Sequence, residues 1–333
     1  MIQRTLLCVA AIGCLGNTAY AQLGQPQKTA GRRLAPGVLT IVGVESEEAE
    51  TFSGPRHLVE LVSQAPEWTP NFTPENQTLL ELAKNSTLRR TVWQFEFSYK
   101  PMRLVYLDVA DGQGGSRRQP VWYLLYRLRN IGGHLQPTVE KDPFGNDVYG
   151  VAPVDHDLQF YPHFTLQIHG EVDGRPASSR MITDRVMPAA VSKIHKIEIR
   201  NPAIKLYNSV DISTAAIEVS SEVLDRGLWG VATWPDVDPR TDYFSIYVKG
   251  LTNAYGWDDP AGAYTKGSPP GTGREYLFKT LKLNFWRPGD TVREHVREFR
   301  LGSPLTDNEA EQARLLKIYR VDEPTDYSWT YLP

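Results

Sequence analysis

Through most of the chain, apolar and polar positions alternate with a period of two, the spacing of strands that bury one face. Residues 92–99 place Trp93, Phe95, Phe97 and Tyr99 on one parity, and 103–110 and 121–129 continue the pattern. In 121–129, Trp122, Leu124, Tyr126 and Leu128 form one face, and Tyr123, Leu125, Arg127 and Arg129 the other. The glycine-rich stretch 111–116 predicts a hairpin loop between the second and third of these strands. From 134 to 162 the alternation lapses, which predicts a loop with a turn near 141–147. It resumes at 164–171 and again at 228–233, 243–251, 276–286 and 292–301. Arg287-Pro288-Gly289-Asp290 is a turn that would join the last two, and the aromatic tail 327–331 predicts a final strand.

Helical spacing is confined to short stretches. Leu58, Leu61 and Val62 predict a helix over 56–63, and Thr73 ahead of Pro74 opens a second that contains Leu79, Leu80 and Leu82. A short helix or turn is expected at 186–193, where Pro188 suits a first helical position. Thr306-Asp307-Asn308-Glu309 reads as a capping box that opens a helix to about Leu316. No repeat of fixed period is present. These elements predict a mainly β fold of antiparallel β-sandwich units with a few short helices. The expected order is a flexible leader at 22–37, a short helical segment at 38–91, one sandwich at 92–180, and a second β-rich unit with a C-terminal helix at 181–333. No clean linker separates the last two, so a shared core is left open.

Two resemblances refine this expectation. The aromatic strand that closes in Arg127-Leu128-Arg129-Asn130 ahead of Gly132 and Gly133 resembles the middle strands of an immunoglobulin-like sandwich, without the cysteine pair of antibody domains. Residues 228–234, Asp238-Pro239-Arg240, 247–255 and 283–290 resemble secreted bacterial β-rich proteins to which no activity is assigned. That second resemblance covers the C-terminal half. It implies export and a β-rich fold, and it carries over no catalytic residue.

The N-terminus agrees with export. Arg4, the apolar run 6–13 and Ala19-Tyr20-Ala21 have the order of a secretory signal peptide, 1–21, with cleavage after Ala21. Ala11-Ile12-Gly13-Cys14 offers lipid anchoring at Cys14 as the alternative. Cys8 and Cys14 both lie in this segment, so a mature chain would carry no disulfide and no thiolate ligand. A hydrophobic share of 41% and a charged share of 23% suit a folded globular chain. The net charge of −3 argues against nucleic acid as the partner. No later stretch has the apolar length of a transmembrane helix. The expected location is periplasmic or extracellular.

Three constellations carry candidate chemistry. Asp155, Asp157, His163 and His169 are residue types that ligate zinc or a similar divalent ion. Pro162 interrupts the ladder, however, and residues twelve apart on one strand lie about 40 Å apart, so chelation would require the chain to fold back. The acidic pairs Asp108 with Asp111, Asp236 with Asp238, and Asp258 with Asp259 sit beside glycine or proline turns, where Asp caps backbone amides. Asn253, Tyr255, Trp257, Asp258, Asp259 and Tyr264 combine rings for stacking with amides and carboxylates for hydroxyl groups, the equipment of a sugar-binding surface. The glycine loop matches no phosphate-binding fingerprint, and no Gly-x-Ser-x-Gly elbow is present. The expectation is an exported, non-catalytic structural or interaction protein of the envelope that needs no cofactor and whose partner is another envelope protein or a polysaccharide. A carbohydrate-binding protein using 253–264 is the first alternative, and a metal-assisted hydrolase using 155–169 the second.

Overall fold

The computed structural model describes residues 39–53, 88–110, 115–172, 175–176, 181–221, 223–235, 237–238, 240–258, 260–261, 273–288 and 299–333. The signal segment, the leader and the helices expected at 56–63 and 73–82 lie outside the described residues. In chain order the first strands are β1 (Thr40–Val42), β2 (Glu96–Tyr99), β3 (Arg103–Ala110) and β4 (Ser116–Arg129). Next come β5 (His134–Lys141), β6 (Asp147–Val154), β7 (His163–His169), β8 (Met181–Thr183) and helix α1 (Pro188–Glu198). Strands β9 (Leu206–Tyr207), β10 (Leu228–Trp234), β11 (Tyr243–Lys249) and β12 (Tyr255–Asp258) follow. The chain closes with β13 (Glu275–Trp286), β14 (Arg300–Leu301), helix α2 (Glu309–Tyr319) and β15 (Tyr327–Leu332). Among the described residues no helix is long and apolar enough to cross a membrane.

Two antiparallel-dominated sheets form around two long strands. β4 is the spine of the first: β2 and β3 pair with successive parts of one edge and β10 with the other. β1 extends that sheet beyond β2, and β9 adds a parallel pair on β10. β13 plays the same part in the second sheet, with β11 and β12 along one side and β14 and β15 along the other. Beyond β11 lie β7 and then β8. Strands from both sides of residue 181 therefore enter both sheets.

The expected parities reach the core. Phe95, Phe97 and Tyr99 are fully buried, and Trp122, Leu124, Tyr126 and Leu128 join them. The second sheet answers with Phe164, Leu166, Phe244, Ile246, Leu283 and Phe285 in the same cluster. Ring pairs tie the sheets together: Trp122 to Phe244 at 5.2 Å, Tyr126 to Phe164 at 4.9 Å and Tyr99 to Phe285 at 6.2 Å. Such pairs add roughly 0.5–1.5 kcal/mol each beyond their area.

The other parity of β4 is buried as well. Val121, Tyr123 and Leu125 pack under α1 against Ala190 and Ile194. Pro188 opens this helix, which runs past the expected 186–193 to Glu198. There the Glu198 carboxylate accepts bonds from Arg103 Nη1 at 2.6 Å, Tyr123 Oη at 2.7 Å and Lys100 Nζ at 3.1 Å, which fasten the helix end to the sheet.

Two expectations need correction. Residues 134–154 are not loop but a two-stranded hairpin, β5 with β6. Its side chains are exposed or half-buried apart from His134, so no burial pattern marks it. Pro137 and Pro153 are tolerable on a two-stranded ribbon that meets the rest of the chain at the Val92–Leu135 bridge. The expected turn is its tip, where Asp142 Oδ1 accepts from the Phe144 and Asn146 amides at 2.8 and 2.7 Å. The cap of α2 is Asn308 rather than Thr306, its side chain accepting from the amides of Ala310 and Glu311. That shift starts the helix at Glu309 and carries it to Tyr319. Of the strand expected at 292–301, residues 300–301 pair with Phe285 and Trp286, and 292–298 lie outside the described residues.

Candidate functional site

Along β13 the odd positions Leu281, Leu283 and Phe285 enter the core, so the even positions Tyr276, Phe278, Thr280, Lys282 and Asn284 line the opposite face. That outer face has three zones: an end closed by α2, a cleft, and an aromatic shelf.

At the closed end, Tyr319 packs over the sheet, its hydroxyl donating to the Phe285 carbonyl at 2.6 Å and its ring 5.1 Å from that of His169. His169 Nε2 lies 2.7 Å from Ser245 Oγ. Ser245 Oγ donates to Asn284 Oδ1 at 2.8 Å, and Asn284 Nδ2 donates to the Thr325 carbonyl at 3.1 Å. Because the Ser245 proton goes to Asn284, His169 donates its Nε2–H to Ser245. Burial first, then the charges of Lys282 and Arg320, hold the His169 pKa down at about 3, so the ring is neutral at ordinary pH. A histidine beside a serine hydroxyl is the contact of a base with its nucleophile. Here Ser245 is fully buried and its proton points away from the histidine, so the chain of bonds holds three strands and the 320s segment together.

Next to this network opens a cleft of about 600 Å³ lined by Tyr247, Lys282, Arg320, Asp322, Ser328 and Thr330, among others. The floor comes from β11, β13 and β15, which set Tyr247 opposite Lys282 and Lys282 opposite Ser328. Lys282 is 4% exposed, and its amine donates to the Tyr319 carbonyl at the end of α2. Burial first, then the neighbouring Arg320 charge, push its pKa down to about 8. The Tyr247 hydroxyl donates to Gln167 Oε1 at 2.8 Å.

Beyond the cleft lies the shelf. Tyr255 stands directly opposite Phe278, and Trp257 opposite Tyr276. Directly opposed residues share a face, and the Tyr255 ring lies 5.9 Å from Tyr276 and 6.3 Å from Phe278. Tyr276 and Phe278 are 47% and 46% exposed. Phe278 precedes Lys282 by four residues on the same parity, about 13 Å along the strand. Shelf and cleft are thus parts of one face.

The residues singled out in the sequence divide accordingly. Tyr255 and Trp257 belong to the shelf, but each is already covered by a cation: Arg90 sits 3.6 Å above the Tyr255 ring and Arg274 4.9 Å above Trp257. Asn253 is a staple, accepting from the Trp93 amide and donating to the Thr91 carbonyl, both at 2.9 Å. Asp258 is exposed at the end of β12, and Asp259 and Tyr264 lie outside the described residues.

The metal candidates do not converge. Asp155 accepts from the Gly133 amide at 2.7 Å at the hairpin base, and Asp157 is exposed. His163 is exposed at one end of β7 while His169 is buried at the other, about 20 Å away along the strand. Among the described residues no three His, Cys, Asp or Glu side chains gather to hold a metal ion. Sequence reasoning missed Tyr276, Phe278, Lys282 and Arg320. The first three carried a readable signal, since aromatic and charged residues occupy one parity of a strand whose other parity is largely apolar. Arg320 carried none.

No protein-family model matches the chain, and neither does any curated protein or solved structure. The functional reading therefore rests on the geometry of this face.

Proposed function

We propose that the protein is an exported, non-catalytic binding module of a bacterial envelope that holds a carbohydrate chain along the outer face of its second sheet. The observation that carries this reading is the shared parity of β13, which lines up the exposed rings of Tyr276 and Phe278 with the polar floor of the cleft. Rings present flat apolar faces to the C–H surface of a sugar, and the cleft hydroxyls of Tyr247, Ser328 and Thr330 suit its hydroxyl groups. The non-catalytic part is supported by the burial of Ser245, which keeps the His169–Ser245 contact away from any substrate. The short cationic start, the apolar run and Ala19-Tyr20-Ala21 support export. Two sheets closing on one aromatic core support an immunoglobulin-like sandwich as the architecture.

The test is titration of the purified chain with soluble neutral and acidic polysaccharides, followed by tryptophan emission and by heat. Phe278→Ala removes an exposed ring and is expected to weaken binding about tenfold with the fold unchanged. Absence of both signals across the panel would discard the carbohydrate reading. Cross-linking of the tagged protein in intact cells would then ask for an envelope protein as the partner.

A further inference from the structure

Arg320 occupies an unexpected place in the backbone. It follows the last residue of α2 with φ of 52°, and it is the one non-glycine residue with positive φ among the described residues. Glycine fills that left-handed position at the end of a helix without penalty, whereas a residue with a Cβ pays roughly 1 kcal/mol or more. A strained backbone position that persists is a pointer to what its side chain does. Here the side chain lines the cleft.

Lys282 lines the same cleft, and its nearly buried amine gives one proton to the carbonyl of Tyr319, the residue just before Arg320. An ammonium has three donors, so two remain. The two cations are close enough for Arg320 to depress the ionisation of Lys282. Asp322 and Glu323 belong to the cleft wall, yet among the described residues no carboxylate forms an ion pair with either cation. Like charges brought together in a partly dehydrated site repel, and an incoming anion would relieve that repulsion. Guanidinium and ammonium groups are also the strongest hydrogen-bond partners a carboxylate can find.

We infer that the cleft between Lys282 and Arg320 receives the carboxylate of an acidic sugar unit, an inference that rests on the carbohydrate reading above. The neighbouring units of the same chain then lie against Phe278 and Tyr276. The shelf supplies affinity that ignores charge, and the two cations supply the preference for an acid.

The experiment is isothermal titration of the full chain with two matched pairs of oligosaccharides, an oligogalacturonate and an oligoglucuronate, each beside its carboxyl-reduced neutral counterpart. The acidic member of at least one pair is expected to bind about tenfold more tightly than its neutral partner. Arg320→Gly, which suits the left-handed backbone and so keeps the fold, should erase that difference by weakening the acidic member far more than the neutral one. Lys282→Met should also shrink that difference. Because it removes the bond to the Tyr319 carbonyl as well, its melting temperature is compared with the wild type to separate lost charge from lost docking. Phe278→Ala should instead weaken acidic and neutral chains alike. Equal affinities within each pair, or an equal loss on both members in Arg320→Gly, would overturn the inference and leave the carbohydrate reading standing. Binding of none of the four probes would overturn both.

Discussion

Each of the two sheets has its outer face crossed by an eleven-residue helix, and the two faces are made of different material. Under α1 lie Val105, Leu107, Val121, Leu125 and Val231, an apolar layer that meets Ala190 and Ile194. Under α2 lie His169, Ser245 and Asn284, a polar layer whose members bond one another. Burial of apolar surface stabilises at about 25 cal/mol per Å², whereas buried polar groups that find partners contribute about 1 kcal/mol per bond and cost more than that if a partner is lost. The first face is therefore a second core. On the other face stability is given up, and a cleft opens beside the helix.

The charges follow the same division. On the first face the Glu198 carboxylate meets Lys100, Arg103 and Tyr123. Burial opposes its ionisation, but hydrogen bonds from Tyr123 and Lys100 and the charge of Arg103 outweigh that and hold its pKa below the usual carboxylate value. On the second face Lys282 and Arg320 line one cleft, and among the described residues no carboxylate forms an ion pair with either. One arrangement is complete within the chain, and the other is the place proposed above for the carboxylate of an acidic sugar unit.

The largest effect that probes this contrast is acid sensitivity. His169 titrates near 3 when folded against 6.5 as the ordinary value, so the native state binds fewer protons than the unfolded chain between those limits. Its contribution is intact above pH 6.5 and is lost as pH falls, by about 3 kcal/mol at pH 4 and about 4 kcal/mol at pH 3. Urea unfolding of the wild type and His169→Gln at pH 7 and pH 4 should show the wild type losing more by that amount. Equal losses would remove His169 as the acid-sensitive member of the polar layer. Next in size, Ile194→Ala in the apolar layer is expected to cost about 3 kcal/mol in the same assay. Sugar affinity should stay at the wild-type value, and any change in it would break the separation between the faces. The smallest effect has the opposite sign. Arg320→Gly should raise stability by about 1 kcal/mol while acid-sugar binding falls. A loss of stability instead would give the guanidinium a structural role.

Much of the frame was legible. The strand over 103–110 matches its expected bounds, the Phe95–Phe97–Tyr99 parity enters the core as read, and the tail forms the edge strand β15. The hairpin β5–β6 was illegible because strand patterning records burial, and this ribbon has little. The α2 cap was misplaced by two residues because Thr306 and Asn308 are both good caps, and only the helix geometry chooses between them. At the site, the sequence showed the rings of Tyr255 and Trp257 but not the cation lying on Tyr255, since Arg90 is 165 residues away in the chain.

The sequence by itself determined what depends on near neighbours: the period-two faces, the proline that opens α1, and a turn tip built on Asp142. Tertiary structure decided which face of β13 would look outward and what would stand beside it. His169 reaches Ser245 across 76 residues, and Ser245 reaches Asn284 across 39. Lys282 and Arg320 come to share a cleft because the end of α2 docks on β13 through Tyr319. Side-chain alternation states that a strand has two faces. Which partners each face receives is set by strand pairing and helix docking, and these are chosen by the burial of the whole core.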